Sequence, residues 1–192
     1  MHRKAIVIWF TGMSGAGKST LAQKMSDYLQ SNQFRTTIID GDHVRNNLHR
    51  HLSFSREDIL ENNRLVANLC KQNIFNYDVI LVPIISPYAL GRNAARETIG
   101  DTHYEVYIKA SLDELIKRDT KGLYRKSLEK KIYNLIGFSK SNPYEEPQNP
   151  DLIIQTDREN LENSVNLLAD NIQRWLKNVN DVNSTGSGLT KP

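Results

Sequence analysis

The stretch G-M-S-G-A-G-K-S-T, residues 12–20, decides the fold of this 192-residue chain. It matches the pattern G-x-x-x-x-G-K-[ST], whose glycines let the backbone wrap a phosphate group with its N–H groups pointing inward. Residues 5–11 form a largely apolar and aromatic run, as expected for a strand covered on both faces of a parallel sheet. Residues 21–29 are apolar at helical spacing. A strand, a glycine-rich loop and a helix in this order predict a phosphate-binding loop.

The rest of the chain alternates between strand and helix patterns. Further strands are predicted at residues 35–40, 79–85, 104–108 and 152–154, and further helices at 56–75, 111–118 and from 161 onward. This alternation predicts an α/β protein with the P-loop NTPase fold, a mainly parallel five-stranded sheet with helices on both faces. The kinase-sized domain is expected over residues 1–178, and the polar residues 179–192 are predicted to be a mobile tail.

Composition excludes several classes of protein. The 25 Lys and Arg against 22 Asp and Glu give a net charge of +3, too small to indicate a nucleic-acid or membrane partner. No apolar run is long enough to span a membrane, and no signal peptide is expected. Cys70 is the only cysteine, which agrees with a reducing cytoplasm. The sequence predicts a cytoplasmic protein that acts on a small molecule.

The loop itself predicts a nucleoside triphosphate ligand. Lys18 is expected to bridge the β and γ phosphates, and the hydroxyl of Ser19 to ligate Mg²⁺. The residues predicted to bind ATP are Gly12, Ser14, Gly15, Ala16, Gly17, Lys18, Ser19 and Thr20. The alternative is a flexible glycine loop that caps a helix, which the complete match disfavours.

A small-molecule kinase fits the rest of the sequence better than a GTPase or a motor ATPase. The guanine-reading N-K-x-D sequence is absent, and residues 79–82 end without a strand-borne carboxylate. Asp40-Gly41-Asp42 supplies two carboxylates, of which one can hold Mg²⁺ through water while the other accepts the proton of an attacking hydroxyl. Alternatively, Asp42 is a helix N-cap and Asp40 a turn residue. Both interpretations can hold together.

Several longer motifs resemble the adenylylsulfate kinase family. They are the loop itself, D-G-D-H-V-R from Asp40, F-S-x-x-D from Phe54, E-N from Glu61, I-S-P-Y from Ile85, R-D-x-K-G-L-Y from Arg118 and P-Y-E-E-P from Pro143. Members transfer the γ-phosphate of ATP to the 3′-hydroxyl of adenosine 5′-phosphosulfate, and commonly form homodimers. The resemblance implies the same fold and reaction type for this chain.

The resemblance also implies roles for single residues. Asp42 would be the catalytic carboxylate, assisted by Lys18, and Asp40 a Mg²⁺ or substrate partner. Arg45 and Asn62 would contact the phosphoanhydride end of the acceptor, and Phe54 would stack on its base. The remaining motif residues expected at the acceptor are Ile85, Ser86, Lys121, Leu123 and, in place of a family aromatic, Phe138. Ser86 also matches a serine that some members phosphorylate, and could equally cap the following helix.

Residues 119–145 are predicted to form a mobile lid. Residues 117–140 carry eight basic and two acidic side chains, and the matching family segment folds over the nucleotides. Arg118, Lys121, Arg125 and Lys126 are therefore expected to neutralise phosphate charge. A solvated basic helix is the alternative, and an RNA-binding patch is less favoured because the aromatics form no stacking platform.

The chain departs from the family at the acceptor side. Ile59, Leu65 and Ala89 stand where arginines are usual, and the segment from Leu135 is two residues longer than in the family. Losing cations disfavours an anionic ligand, so a related acceptor is possible. Adenylylsulfate is the first choice, and cytidine diphosphoramidate, an acceptor in capsule decoration, is the alternative. A nucleotide-binding regulatory module without turnover is the alternative from another class.

Overall fold

The computed structural model describes residues 4–48, 52–139 and 142–185. The strands in these residues are β1 (Ile6–Thr11), β2 (Thr36–Ile38), β3 (Val79–Pro83), β4 (His103–Lys109) and β5 (Leu152–Gln155). The helices are α1 (Lys18–Ser31), α2 (Gly41–Leu48), α3 (Arg56–Asn73), α4 (Ala89–Ile99), α5 (Leu112–Arg118), α6 (Leu123–Leu128) and α7 (Leu161–Thr185). The predicted α/β fold is confirmed. None of these helices combines the length and the apolar character of a membrane span.

The five strands form one parallel sheet in the order β2-β3-β1-β4-β5. β1 is central, paired with β3 from Ile6 opposite Val79 and with β4 from Val7 opposite His103. All six of its residues are buried. Because successive side chains of a strand point to opposite faces, β1 contributes to both layers of the core.

Each face of the sheet has its own apolar layer. Ile6, Ile8 and Phe10 pack in the core that α1 and α7 cover, whereas Val7 and Trp9 pack in the core that contains residues of α3 and α4. The loop after β1 therefore leaves a strand that is packed from both sides.

Two details of the sequence-based assignment are corrected. The predicted tail begins at residue 179, but α7 continues as a helix to Thr185, and Val179 still packs against the core. The rest of that tail, residues 186–192, lies outside the described residues. The helix predicted over residues 111–118 begins at Leu112, because Ser111 is the N-cap residue of α5, and the Ser111 side chain makes no capping hydrogen bond.

Gly12 is a position at which only glycine fits, and this gives a test of the fold. A Cβ on Gly12 would lie 2.3 Å from the carbonyl oxygen of Ile108 in β4, and φ is +150°. We expect Gly12→Ala to lower the free energy of unfolding by roughly 3 kcal/mol or more, since neither backbone can move away freely.

The matched control is Gly100→Ala. Gly100 also has a positive φ of +84°, but no atom lies within 4 Å of its added Cβ. Only the backbone cost of about 1–2 kcal/mol should remain there. Urea unfolding of both variants measures the difference, and equal losses would show that the close approach at Gly12 does not matter.

Candidate active site

A pocket at the carboxyl edge of the sheet is formed by the phosphate-binding loop and by the segments that follow β2 and β3. Its lining residues are Ser14, Gly15, Gly17, Lys18, Ser19, Thr20, Asp40, Asp42, Pro83, Ile84, Ile85, Thr120 and Lys121. Gly12 and Ala16 belong to the loop without lining this phosphate pocket. The structure thus brings together most of the residues that the sequence assigns to phosphate binding and to catalysis.

Lys18 is buried at the base of the phosphate pocket. Its Nζ donates hydrogen bonds to the carbonyl oxygens of Gly12 at 2.7 Å and Met13 at 2.8 Å. The pKa of Lys18 is lowered to about 7, chiefly by burial and also by the charge of Lys121, while Asp42 and Asp40 act in the opposite direction. Phosphate oxygens beside Nζ would favour the ammonium form and raise the pKa again.

Asp40 and Asp42 have different roles at the start of α2. The Oδ1 of Asp40 accepts hydrogen bonds from the N–H groups of Asp42 at 2.9 Å and His43 at 3.0 Å, so Asp40 caps the helix. The alternative in which Asp42 is the cap is wrong, because Asp42 lies inside the first turn. The exposed Oδ2 of Asp42 lies 2.8 Å from the Nζ of Lys121. A carboxylate in the pocket without a capping role suits a proton acceptor.

The lid segment is anchored on the phosphate-binding loop through α6. The carboxylate of Asp119 accepts hydrogen bonds from the N–H groups of Tyr124 and Arg125, both at 3.0 Å, and so caps α6. The buried hydroxyl of Tyr124 donates to the carbonyl oxygen of Ser14 at 2.8 Å. This anchoring places Lys121 over the phosphate pocket. Residues 140 and 141 of the lid lie outside the described residues, and its movement stays a prediction.

Arg118 lies outside the phosphate pocket, in contrast to Lys121. Its Nε lies 3.1 Å from the Oε1 of Glu114, and its two terminal nitrogens donate to the hydroxyl and the carbonyl oxygen of Thr156. The hydroxyl of Thr156 in turn donates to the carbonyl oxygen of Ala16 at 2.8 Å. Glu114 and Thr156 fix the guanidinium of Arg118, and Thr156 in turn contacts the phosphate-binding loop. Arg118 therefore stabilises this loop from outside the phosphate pocket.

A second pocket, here called the acceptor pocket, adjoins the first. Its lining residues are Gly41, Asp42, Arg45, Phe54, Ile59, Asn62, Asn63, Ile84, Ile85, Ser86, Pro87 and Ile136. Asp42, Ile84 and Ile85 line both pockets. The carboxylate of Asp42 thus stands where the two pockets meet.

The acceptor pocket has the groups that a nucleotide requires. Arg45 is the one cation among its described lining residues, and its guanidinium lies 4.6 Å from the centre of the Phe54 ring. Burial lowers the pKa of Arg45, against the attraction of Asp42 and Asp58. The Oδ1 of Asn62 is buried without a hydrogen-bond partner among the described residues. An anionic group, an aromatic ring and a hydrogen-bond donor on one ligand would complement these three side chains.

A model of the family described as Adenylylsulphate kinase matches residues 4–155. This chain belongs to the adenylylsulfate kinase family. It is 43% identical to the adenylyl-sulfate kinase of Halothermothrix orenii, over 90% of this chain and 91% of the relative. It is 36% identical to the probable adenylyl-sulfate kinase of Aeropyrum pernix, over 86% and 91%. The solved Mycobacterium tuberculosis APS kinase CysC, in complex with AMPPNP and APS, superimposes with a TM-score of 0.79 at 33% identity, covering 87% of this chain and 97% of that one. By family, this protein is a kinase.

Only one of the three lost arginines changes the lining of the acceptor pocket in this member of the adenylylsulfate kinase family. Ile59 lines the pocket and is buried. Leu65 follows six residues later on α3, which turns its side chain to another face of the helix, and it does not line the pocket. Ala89 lies on the other side of the turn after β3, where its N–H donates to the Oε2 of Glu145 at 2.7 Å. The loss of positive charge in the pocket is therefore smaller than the sequence suggests.

Three predicted acceptor contacts do not line the acceptor pocket: Lys121 lines the phosphate pocket, and Leu123 and Phe138 line neither. Phe138 packs edge-on against Tyr124, with 5.7 Å between ring centres, and Leu123 packs against the same core. Both lie there because Tyr124 anchors α6 on the phosphate-binding loop. Ile136 lines the acceptor pocket instead. The expectation that Phe138 replaces the family aromatic is not supported by this arrangement.

Ser86 lines the acceptor pocket but does not cap a helix. The N-cap residue of α4 is Tyr88, and the hydroxyl of Ser86 accepts a hydrogen bond from the Nδ2 of Asn63 at 2.8 Å. The sequence analysis missed Asn63, Thr11, Tyr144 and Arg92, which surround this turn. Of these four residues, only Tyr144 belongs to a motif of the sequence, P-Y-E-E-P. The other three are brought to the turn by the packing of the fold.

The lowered pKa of Lys18 predicts proton uptake on nucleotide binding. Lys18, with a pKa of about 7, is largely neutral at about pH 8 in the free protein, and bound phosphates should return it to the ammonium form. We expect close to one proton to be taken up, because phosphate groups with a pKa of about 6 are already ionised there.

Calorimetric titration of ATP in buffers with different ionisation enthalpies measures this uptake. At about pH 5.5 Lys18 is already charged in the free protein, so its contribution should disappear. A binding enthalpy that does not depend on the buffer at the higher pH would contradict the assignment.

Proposed function

We propose that this kinase transfers the γ-phosphate of ATP to the ribose 3′-hydroxyl of a nucleoside 5′-phosphoanhydride, with adenylylsulfate as the first choice. The observation that carries the proposal is the position of Asp42, which lines both the phosphate pocket and the acceptor pocket. A hydroxyl bound in one pocket and a γ-phosphate bound in the other would meet beside this carboxylate.

The side chains divide the reaction between them. The loop N–H groups and Lys18 would hold the transferring phosphate, and Asp42 would accept the hydroxyl proton as the new P–O bond forms and the bond to the β-phosphate oxygen breaks. Arg45 would hold the anionic end of the acceptor and Phe54 its base. Lys121, whose Nζ lies 2.8 Å from Asp42, would place its positive charge where the two pockets meet and help exclude water.

The residues present fit a magnesium ion. Ser19 and Asp40 both line the phosphate pocket and offer the oxygen donors that Mg²⁺ prefers. The described residues contain no cluster of three His, Cys, Asp or Glu side chains, which agrees with a metal held mainly by phosphate oxygens and water. When bound, Mg²⁺ neutralises charge on the phosphates. Ser19 would ligate it directly and Asp40 through water.

Two observations bear on the acceptor. The relatives that match nearly the full chain carry the name adenylyl-sulfate kinase, and a solved relative binds APS. Cytidine diphosphoramidate is the second candidate, favoured by the apolar Ile59 and by Arg45 as the one cation among the described lining residues of the acceptor pocket. An acceptor with less negative charge needs fewer cations.

An ADP-release assay with each acceptor tests the proposal together with Asp42→Asn. We expect kcat to fall by about 100- to 10,000-fold in this variant, because the proton acceptor is lost, with the affinity for ATP nearly unchanged. Asp113→Asn is the control, since Asp113 is an exposed acid on α5 outside both pockets. If neither acceptor accelerates ADP release by the wild-type protein, a binding module without turnover becomes the better hypothesis.

Phe54→Ala tests the position of the acceptor base. Phe54 is 48% exposed and lines the acceptor pocket, so a base can stack on its ring. We expect the acceptor KM to rise by about tenfold with the ATP KM unchanged, since one stacking contact is lost.

Phe75→Ala is the matched control. Phe75 is 49% exposed just after α3 and lies in neither pocket, so both KM values should stay as in the wild type. Steady-state kinetics with each substrate varied in turn measures both variants. An unchanged acceptor KM in Phe54→Ala would place the base elsewhere.

We also expect the protein to be a cytoplasmic homodimer. The cytoplasmic location rests on the single cysteine, and the homodimer rests on the family resemblance. The solved Thiobacillus denitrificans APS kinase, 25% identical and matched over 29% of its length, is described as hexameric. Light scattering of the purified chain decides its own assembly state.

A further inference from the structure

The turn after β3, Ile85-Ser86-Pro87, is held in an unfavourable conformation. Ser86 has φ of +45°, a region that residues other than glycine rarely adopt. It is almost fully buried, and all three residues line the acceptor pocket. Such a conformation persists only where the surroundings impose it, so the contacts of this turn determine the shape of the pocket wall.

Three side chains from three elements contact the turn. The hydroxyl of Thr11, at the end of β1, donates to the carbonyl oxygen of Ile85 at 2.7 Å, and the Nδ2 of Asn63 on α3 donates to the hydroxyl of Ser86 at 2.8 Å. The Nη1 of Arg92 on α4 donates to the carbonyl oxygen of Ser86 at 2.9 Å. Of the three, only Arg92 brings a charge.

Arg92 is only 3% exposed, and its counter-ion is also buried. Its Nε lies 3.0 Å from the Oε1 of Glu105 in β4. Burial raises the pKa of Glu105, and the charges of Arg92 and Arg96 oppose this. The planar guanidinium thus joins the carboxylate on the sheet to the carbonyl oxygen of the turn, which a lysine ammonium cannot do with the same geometry.

We infer that Arg92, fixed by Glu105, is a positioning residue for acceptor binding, because it holds Ser86 in the conformation that forms the wall of the acceptor pocket. Its kinetic consequence rests on the proposed reaction. Ser86 and Pro87 line the acceptor pocket but not the phosphate pocket. Loss of this contact should therefore affect the acceptor far more than ATP.

Arg92→Lys tests the inference, with Arg96→Lys as the matched control. Arg96 lies one turn further along α4, pairs with Asp151 at 2.7 Å and lies 3.9 Å from Glu105, so it shares the carboxylate without contacting the turn. We expect Arg92→Lys to raise the acceptor KM by about tenfold and to leave the ATP KM within about twofold, and Arg96→Lys to change neither. An unchanged acceptor KM, or an equal rise for both substrates, overturns the inference.

A second measurement does not depend on turnover. Hydrogen exchange of the peptide that contains residues 84–88 should accelerate in Arg92→Lys and not in Arg96→Lys. If the wild type phosphorylates no nucleotide acceptor, the proposed function fails while this comparison still decides the positioning role. Equal exchange in the two variants overturns it.

A paired variant keeps the test valid if Arg92→Lys is unstable. Arg92→Met combined with Glu105→Gln removes both buried charges together, so no uncompensated ion remains. It also removes the hydrogen bond to Ser86. The same selective rise in the acceptor KM and the same faster exchange are expected, and their absence contradicts the inference.

Discussion

The close approach of Gly12 to β4 is the constraint on which the site depends. A side chain at Gly12 would meet the carbonyl oxygen of Ile108 at 2.3 Å, so the phosphate-binding loop can leave β1 only where a glycine stands. β1 is packed on both faces and paired on both sides, so this starting point is rigid. The parallel order of the sheet then places the segments after β2 and β3 next to the loop. The phosphate-binding loop, the carboxylate of Asp42 and the wall of the acceptor pocket therefore lie together at the carboxyl edge of the sheet.

The charged side chains around the phosphate pocket suit a ligand that carries negative charge. Lys18 is buried with a lowered pKa, Lys121 stands above the pocket, and Asp42 lies between the two pockets. Asp42 attracts Lys18 more strongly than Lys121 repels it, so the lowered pKa of Lys18 comes from its burial away from water. Phosphate oxygens would satisfy both cations and leave Asp42 free to accept a proton.

Packing and one buried ion pair together shape the acceptor side. Ile59, Tyr88 and Ile136 form a small apolar cluster of their own beside this pocket, and Gly91 lets α4 approach Asn63 on α3. The strained turn at Ser86 lies between these helices. Replacing an arginine by Ile59 thus changes the wall of the pocket, whereas the changes at Leu65 and Ala89 fall outside it. The number of arginines missing from the sequence therefore overstates the loss of positive charge around the bound acceptor.

The sequence by itself determined the fold class, the phosphate-binding loop and the presence of two carboxylates, Asp40 and Asp42, directly after a strand. These features depend on local order: a strand pattern, glycines at fixed spacing, and carboxylates directly after a strand. Only the tertiary structure decided that Asp40 caps α2 and leaves Asp42 at the junction of two pockets, and that Arg118 and Phe138 lie outside both pockets. It alone decided the network of Thr11, Asn63, Arg92 and Glu105 around Ser86, because those residues are far apart in the chain and each depends on a partner that sequence spacing does not reveal.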